Sequence, residues 1–150
     1  MSVLSWGNPK VEYGKSTNGA AATTWEEFTE IKEGSASLNV TEGELIEATD
    51  EGGNVVDSRR KANKYVFTCE IFVQKGKEKP GITDTNGIIL DNYSLRLTPE
   101  DETCEGFILD KCNVTVAESW TAADGKLLRY TFNGIKPADG IICKPYPSKA

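Results

Sequence analysis

A chain of 150 residues with 17 basic and 23 acidic side chains carries a formal charge of −6 and no histidine. That length suits one domain, residues 1–150, able to bury roughly 68–70% of its unfolded surface. The missing histidine removes Ser-His-Asp and Cys-His nucleophiles, histidine-ligated zinc hydrolase sites and the 2-His-1-carboxylate iron site, and the acidic balance opposes a basic nucleic-acid-binding face.

In chain order, the opening Met1-Ser2-Val3-Leu4-Ser5-Trp6-Gly7 has neither a charged nor an apolar leader region, and no later run approaches the ~20 apolar residues that span a bilayer. The expectation is a protein made in the cytoplasm with no signal peptide and no membrane partner. Asn18 to Thr24 is small and polar, a loop, and Thr24-Trp25-Glu26-Glu27 reads as a capping box. Leu38 to Val40 is extended. From Tyr65, the residues Tyr65, Phe67, Cys69, Ile71 and Val73 share one strand face and Val66, Thr68, Glu70, Phe72 and Gln74 the other.

Beyond the turn signals Lys79-Pro80-Gly81 and Asn86-Gly87, the segments Ile88–Leu97, Phe107–Val116, Leu127–Phe132 and Ile141–Cys143 also read as strands, separated by Asp124-Gly125, Asn133-Gly134 and Asp139-Gly140. Thr98-Pro99-Glu100-Asp101 offers a second helix start. No window of ten or more residues keeps a 3.6-residue apolar period. The fold class is therefore all-β, a sandwich or partly closed barrel with at most one short helix.

Between the first two strands lies the most unusual stretch. Glu42, Glu44, Glu47, Asp50 and Glu51 precede Gly52-Gly53, and Arg59, Arg60, Lys61 and Lys64 follow it. Residues 38–64 thus form a long polar connection with its acids before its bases. Connections longer than ~12–15 residues tend to be functional, and complementary halves suit contact with copies of the same chain. These nine charged residues are the candidate inter-subunit contacts; the bland reading is an exposed hairpin whose charges keep it soluble.

Other chemistry finds little support. A carboxylate pair drawn from Glu42, Glu44, Asp84, Asp91 and Glu118 is singled out by no spacing, so the chain is read as non-enzymatic. No phosphate-cradling glycine motif occurs. Asp50-Glu51-Gly52-Gly53-Asn54 lacks the ligand order of a calcium loop. Cys69, Cys104, Cys112 and Cys143 contain no CxxC pair and read as reduced thiols, so neither metal nor cofactor is expected. Trp6, Trp25 and Trp120 could stack on sugars, which makes a monomeric carbohydrate- or small-ligand-binding module the alternative function.

Leu4-Ser5-Trp6-Gly7, Gly19-Ala20-Ala21-Ala22-Thr23-Thr24-Trp25, Glu47-Ala48-Thr49-Asp50-Glu51-Gly52-Gly53 with Val55-Val56-Asp57, and the Tyr65 to Val73 strand resemble tail tube proteins of long-tailed bacteriophages, in a version carried by a phage or prophage of the Bacteroides group. The resemblance implies a β-sandwich subunit that joins hexameric rings. The rings stack into a tube through whose lumen DNA passes without specific binding. It makes Glu42 to Lys64 the loop that reaches neighbouring subunits, and the partners other copies and other tail proteins of the virion. Type VI secretion tubes share the fold. An acidic subunit is compatible with a lumen that repels the phosphate backbone.

Overall fold

The computed structural model describes residues 7–76, 82, 84–101 and 103–146; Trp6, most of the opening segment and the Lys79-Pro80-Gly81 turn lie outside them. The described residues hold ten strands and no helix: β1 (Lys10–Lys15), β2 (Glu26–Glu27), β3 (Ser37–Thr41), β4 (Leu45–Thr49), β5 (Val55–Arg60), β6 (Lys64–Phe72), β7 (Tyr93–Thr98), β8 (Gly106–Thr121), β9 (Gly125–Gly134) and β10 (Cys143–Tyr146).

Eight strands make one sheet in the order β2-β1-β7-β8-β9-β6-β3, with β10 added to β8; β4 and β5 form a separate two-stranded sheet. All strand pairs are antiparallel. The sheet folds over on itself as a sandwich without closing into a barrel. The device that draws its ends together is the segment 26–32. Glu26 and Glu27 pair with β1, and the Phe28 N–H donates to the Val11 carbonyl at 2.9 Å. The chain then turns at Glu30, whose φ of 55° is rare for a residue with a side chain. It bonds the far edge of β6 through Phe72 N–H to Glu30 O and Lys32 N–H to Glu70 O.

Phe28 is the side chain at that crossing. Its ring lies 4.4 Å from Tyr13 of β1, 5.3 Å from Tyr130 and 6.0 Å from Phe132 of β9. Around it the core gathers Val11, Phe67, Cys69, Ile71, Leu95, Leu109, Cys112, Val114 and Leu128. The alternation read from Tyr65 onward is met: Phe67, Cys69 and Ile71 are buried while their neighbours are half-buried.

β8 is long enough to serve both layers. Its first part pairs with β7 and β10, its second with β9. The register shifts between Tyr93↔Cys112 and Leu95↔Leu109, so β8 carries one extra residue there. The Ser94 hydroxyl bridges the irregularity, donating to the Asp110 carbonyl at 2.6 Å and accepting the Ala22 N–H at 2.9 Å. Lys144 ties β10 down by donating to the carboxylates of buried Asp110 and exposed Asp139. These bonds hold the Lys144 ammonium above its ordinary range and Asp139 below its own. The second carboxylate oxygen of Asp110 is buried with no partner among the described residues.

The outer face of β1 and β7 is covered as well. Glu12 and Arg96, opposed in register, form a two-pronged ion pair at 2.9 and 3.0 Å. The guanidinium lies 4.3 Å from the Trp25 ring and 5.2 Å from that of Tyr146. Neither helix start becomes a helix. Glu26 and Glu27 are taken by β1 and Trp25 by Arg96, while Thr98 ends β7 and leads into bends. The strand expected over Ile88–Leu97 is shorter: Ile88 makes one bridge to Thr115, and regular pairing begins at Tyr93. The strand read at Ile141–Cys143 starts at Cys143 instead, because Lys144 is pinned opposite Ile108.

Cys69 and Cys112 are buried thiols, and Cys104 and Cys143 are half-buried. Burial pushes Cys69 up to about 12 and Cys112 higher still. An Ellman titration at pH 8 is therefore expected to count Cys104 and Cys143 in the native protein and all four thiols only in denaturant; rapid labelling of Cys69 or Cys112 before unfolding would contradict the packing. Replacing Arg96 by Met leaves the Glu12 carboxylate enclosed without its cation, and chemical denaturation should report a loss of about 3 kcal/mol.

Candidate inter-subunit surface

Eight of the nine charged candidates lie on the β4–β5 hairpin or in the turns that flank it; Lys64 instead opens β6, opposite Thr41 of β3. The segment between β3 and β6 is not a structureless connection. Leu45↔Arg60, Ile46↔Arg59, Glu47↔Ser58 and Ala48↔Asp57 are directly opposed, with a bulge before Thr49↔Val55. The local sequence explains the hairpin. Val55, Val56, Ile46 and Thr49 favour extended backbone, and Asp50-Glu51-Gly52-Gly53-Asn54 supplies the turn, with Gly53 at φ 83°. Asp50 closes that turn: its side-chain oxygen accepts the Asn54 N–H at 2.9 Å and its carbonyl accepts the Gly53 N–H at 3.0 Å. That oxygen is spent within the turn, and no cluster of three or more metal-ligating side chains exists among the described residues.

The root of the hairpin is pinched. A Cβ on Gly43 would come within 1.7 Å of the Lys61 carbonyl oxygen, so only glycine fits there. The Gly43 N–H donates to Asn63 Oδ1 at 3.1 Å, and the Lys61 N–H to the Glu44 carbonyl at 3.0 Å. The two passing backbones are thereby stitched where the arm leaves the body.

Antiparallel folding changes what the charge pattern means. Acids that precede bases in the chain end up beside them in space: Lys61 pairs with Glu44 at 3.4 Å and Arg60 with Glu42 at 4.0 Å. Both pairs are exposed, so each contributes at most about 1 kcal/mol. Glu47, Asp50, Glu51, Arg59 and Lys64 have no opposite charge within 4 Å among the described residues. The arm is thus acidic toward its tip and mixed at its root, rather than acidic on one half and basic on the other.

Charge was the legible signal, and apolar exposure the missed one. Every residue of β4 and β5 is exposed, among them Leu45, Ile46, Val55 and Val56, the last at 66%. A lone two-stranded hairpin is marginal in water, and this one turns aliphatic side chains outward with no strand of the described residues paired to it. A second open surface adjoins its root: among the described residues β3 pairs only with β6, so no described strand lies on the outer edge of Ser37–Thr41, with Val40 exposed beside it.

The tryptophans form no platform among the described residues. Trp25 lies half-buried under Arg96, whereas Trp120 projects near the far end of β8. The carboxylates of Asp84, Asp91 and Glu118 are each engaged locally: Asp84 caps the Gly87 N–H at 2.8 Å, Asp91 meets Lys15 at 3.3 Å and Glu118 meets Lys126 at 3.4 Å. No helix of the described residues is long and apolar enough to cross a membrane.

No protein-family model matches the chain, and no curated protein matches it in sequence. Among solved structures it is similar to the sheath/tube terminator of an extracellular contractile injection system, PVC, in its extended state. The two chains are 13% identical, the likeness covers 95% of this chain and 99% of the other, and the TM-score is 0.52. What they share is the fold, an all-β one.

Proposed function

We propose that this chain is a structural subunit of a phage-tail-like tube, joining copies of itself into stacked rings through its sheet edges and the β4–β5 arm. The observation that carries the reading is the arm. Evolution rarely leaves an isolated hairpin with four exposed aliphatic side chains on a stalk pinched at Gly43, because such a hairpin gains little stability in water and invites association. A neighbour that covers it converts the hazard into an assembly contact.

The finer picture is a hexameric ring whose lumen passes DNA without binding it, in the tail of a Bacteroides-type phage or prophage. The charge of −6 supports such a lumen, since like charges repel the phosphate backbone. The solved terminator of similar fold makes the end of a tube as suitable a position as its length, and a secretion tube of the type VI kind would use the same surfaces. The absence of histidine and the local engagement of the candidate carboxylates favour a structural role over a catalytic one.

Negative-stain electron microscopy with light scattering on concentrated protein is expected to show rings or tubes of uniform diameter, whereas a strict monomer at every concentration would speak against the assembly. Arg59→Glu, Arg60→Glu and Lys61→Glu together should weaken association while leaving the body folded. Replacing residues 45–59 by a short turn should abolish association and move the Tm by no more than about 3 °C, since the hairpin adds nothing to the core. Assembly that persists without the arm would sink the proposal that the arm is the contact.

A further inference from the structure

We infer that Gly43, Asn63 and Arg60 form a clamp that fixes the direction of the β4–β5 arm relative to the body, with Asn63 and Arg60 as positioning residues for the inter-subunit contact; the inference rests on the reading of the arm as that contact. β3 and β6 make their last rung at Thr41↔Lys64, and the hairpin makes its first at Leu45↔Arg60. Between the two rungs run the connections 42–44 and 61–63. No strand of the described residues pairs with the hairpin, so its direction is decided across this gap.

One buried residue closes the gap. From Asn39 to Ala62 every residue is exposed except Gly43. Its cover is the opposite connection, for a Cβ there would meet the carbonyl oxygens of Lys61 and Ala62, the second at 2.9 Å. Both hydrogen-bonding groups of Gly43 are taken from across the gap as well. Its N–H donates to Asn63 Oδ1 at 3.1 Å, and its carbonyl accepts from Arg60 Nη1 at 3.3 Å. The Lys61 N–H, donating to the Glu44 carbonyl at 3.0 Å, adds a third tie.

Glycine is the most permissive backbone unit, so a connection that carries one swings freely when its polar groups are left to water. Held at its N–H, at its carbonyl and against the Lys61 backbone, Gly43 has no such freedom. The Arg60 guanidinium, bonded to Gly43 and 4.0 Å from Glu42, is thus engaged by its own chain. An arm already held in one direction binds a neighbour more tightly than an arm that must be ordered on contact, because the entropy of ordering is lost on folding rather than on association.

The test compares the full native chain with Asn63→Ala, Asn63→Asp and Arg60→Met by two measurements. Residual dipolar couplings of the backbone amides, taken on dilute monomer, report whether residues 45–59 keep one orientation relative to β6, β8 and β9. Sedimentation velocity over a concentration series reports self-association. One alignment tensor is expected to fit arm and body in the native chain. Asn63→Ala and Arg60→Met should each shrink the arm's couplings, leave those of the body unchanged and weaken association about tenfold, whereas Asn63→Asp, which keeps the acceptor, should behave as native. An arm that still fits the body's tensor in both weakened variants, or that is averaged already in the native chain, would overturn the clamp whether or not the chain associates. Shrunken couplings with unchanged association would overturn the positioning role; the reading of the arm itself would fall only if a chain lacking residues 45–59 also associated like the native one.

Discussion

The crossing of segment 26–32 from β1 to β6, held by Phe28, is the constraint on which the rest of this molecule depends. Without it the order β2-β1-β7-β8-β9-β6-β3 is a long open sheet with two exposed apolar faces. With it, Tyr13 at one end meets Tyr130 and Phe132 near the other through a single ring. Backbone bonds on both sides of Phe28 fix the crossing, and Glu30 takes a left-handed conformation to make the turn. Aromatic contacts of this geometry add to the area they bury, so one side chain joins the two layers.

Folding over in this way also determines what is left outside. The core closes around β1, β6, β7, β8 and β9, and the chain between β3 and β6 has no place in it. It becomes a hairpin on a pinched stalk, stitched at Gly43, Lys61 and Asn63. The same closure ends before β8 does, so the last residues of that strand leave the body with Trp120 on the face that elsewhere is core. A protruding hairpin with exposed aliphatic side chains and an exposed Trp120 thus have one origin: more strand than the core of the described residues buries. The likeness to the solved tube terminator covers 95% of this chain and is a likeness of fold.

Much of the body was legible from alternation. Residues 65–73 show it cleanly because β6 has its core on one side only, and the glycine-bearing turns after it separate β8 and β9 at nearly the right places. β1 was not legible. Lys10-Val11-Glu12-Tyr13 alternates for only four residues before Gly14, and what buries both of its faces, with Val11 and Tyr13 in the core and Glu12 closed in by Arg96, arrives from distant strands. Trp25-Glu26-Glu27 carries a helix-start signature, yet cation–π contact and strand pairing outweigh a local preference of that size.

By itself the sequence determined the all-β class, the absence of histidine chemistry and the position of the arm, because these depend on composition, on side-chain periodicity and on where a long charged stretch interrupts it. Only the tertiary structure decided the arm's electrostatics and its apolar character. Antiparallel pairing set Glu44 beside Lys61 and Glu42 beside Arg60, cancelling charges that stand well apart along the chain. Whether Val56, Leu90 or Trp120 is core or surface likewise cannot be read from residue type, since burial depends on which distant strands arrive to cover a face, and among the described residues none does.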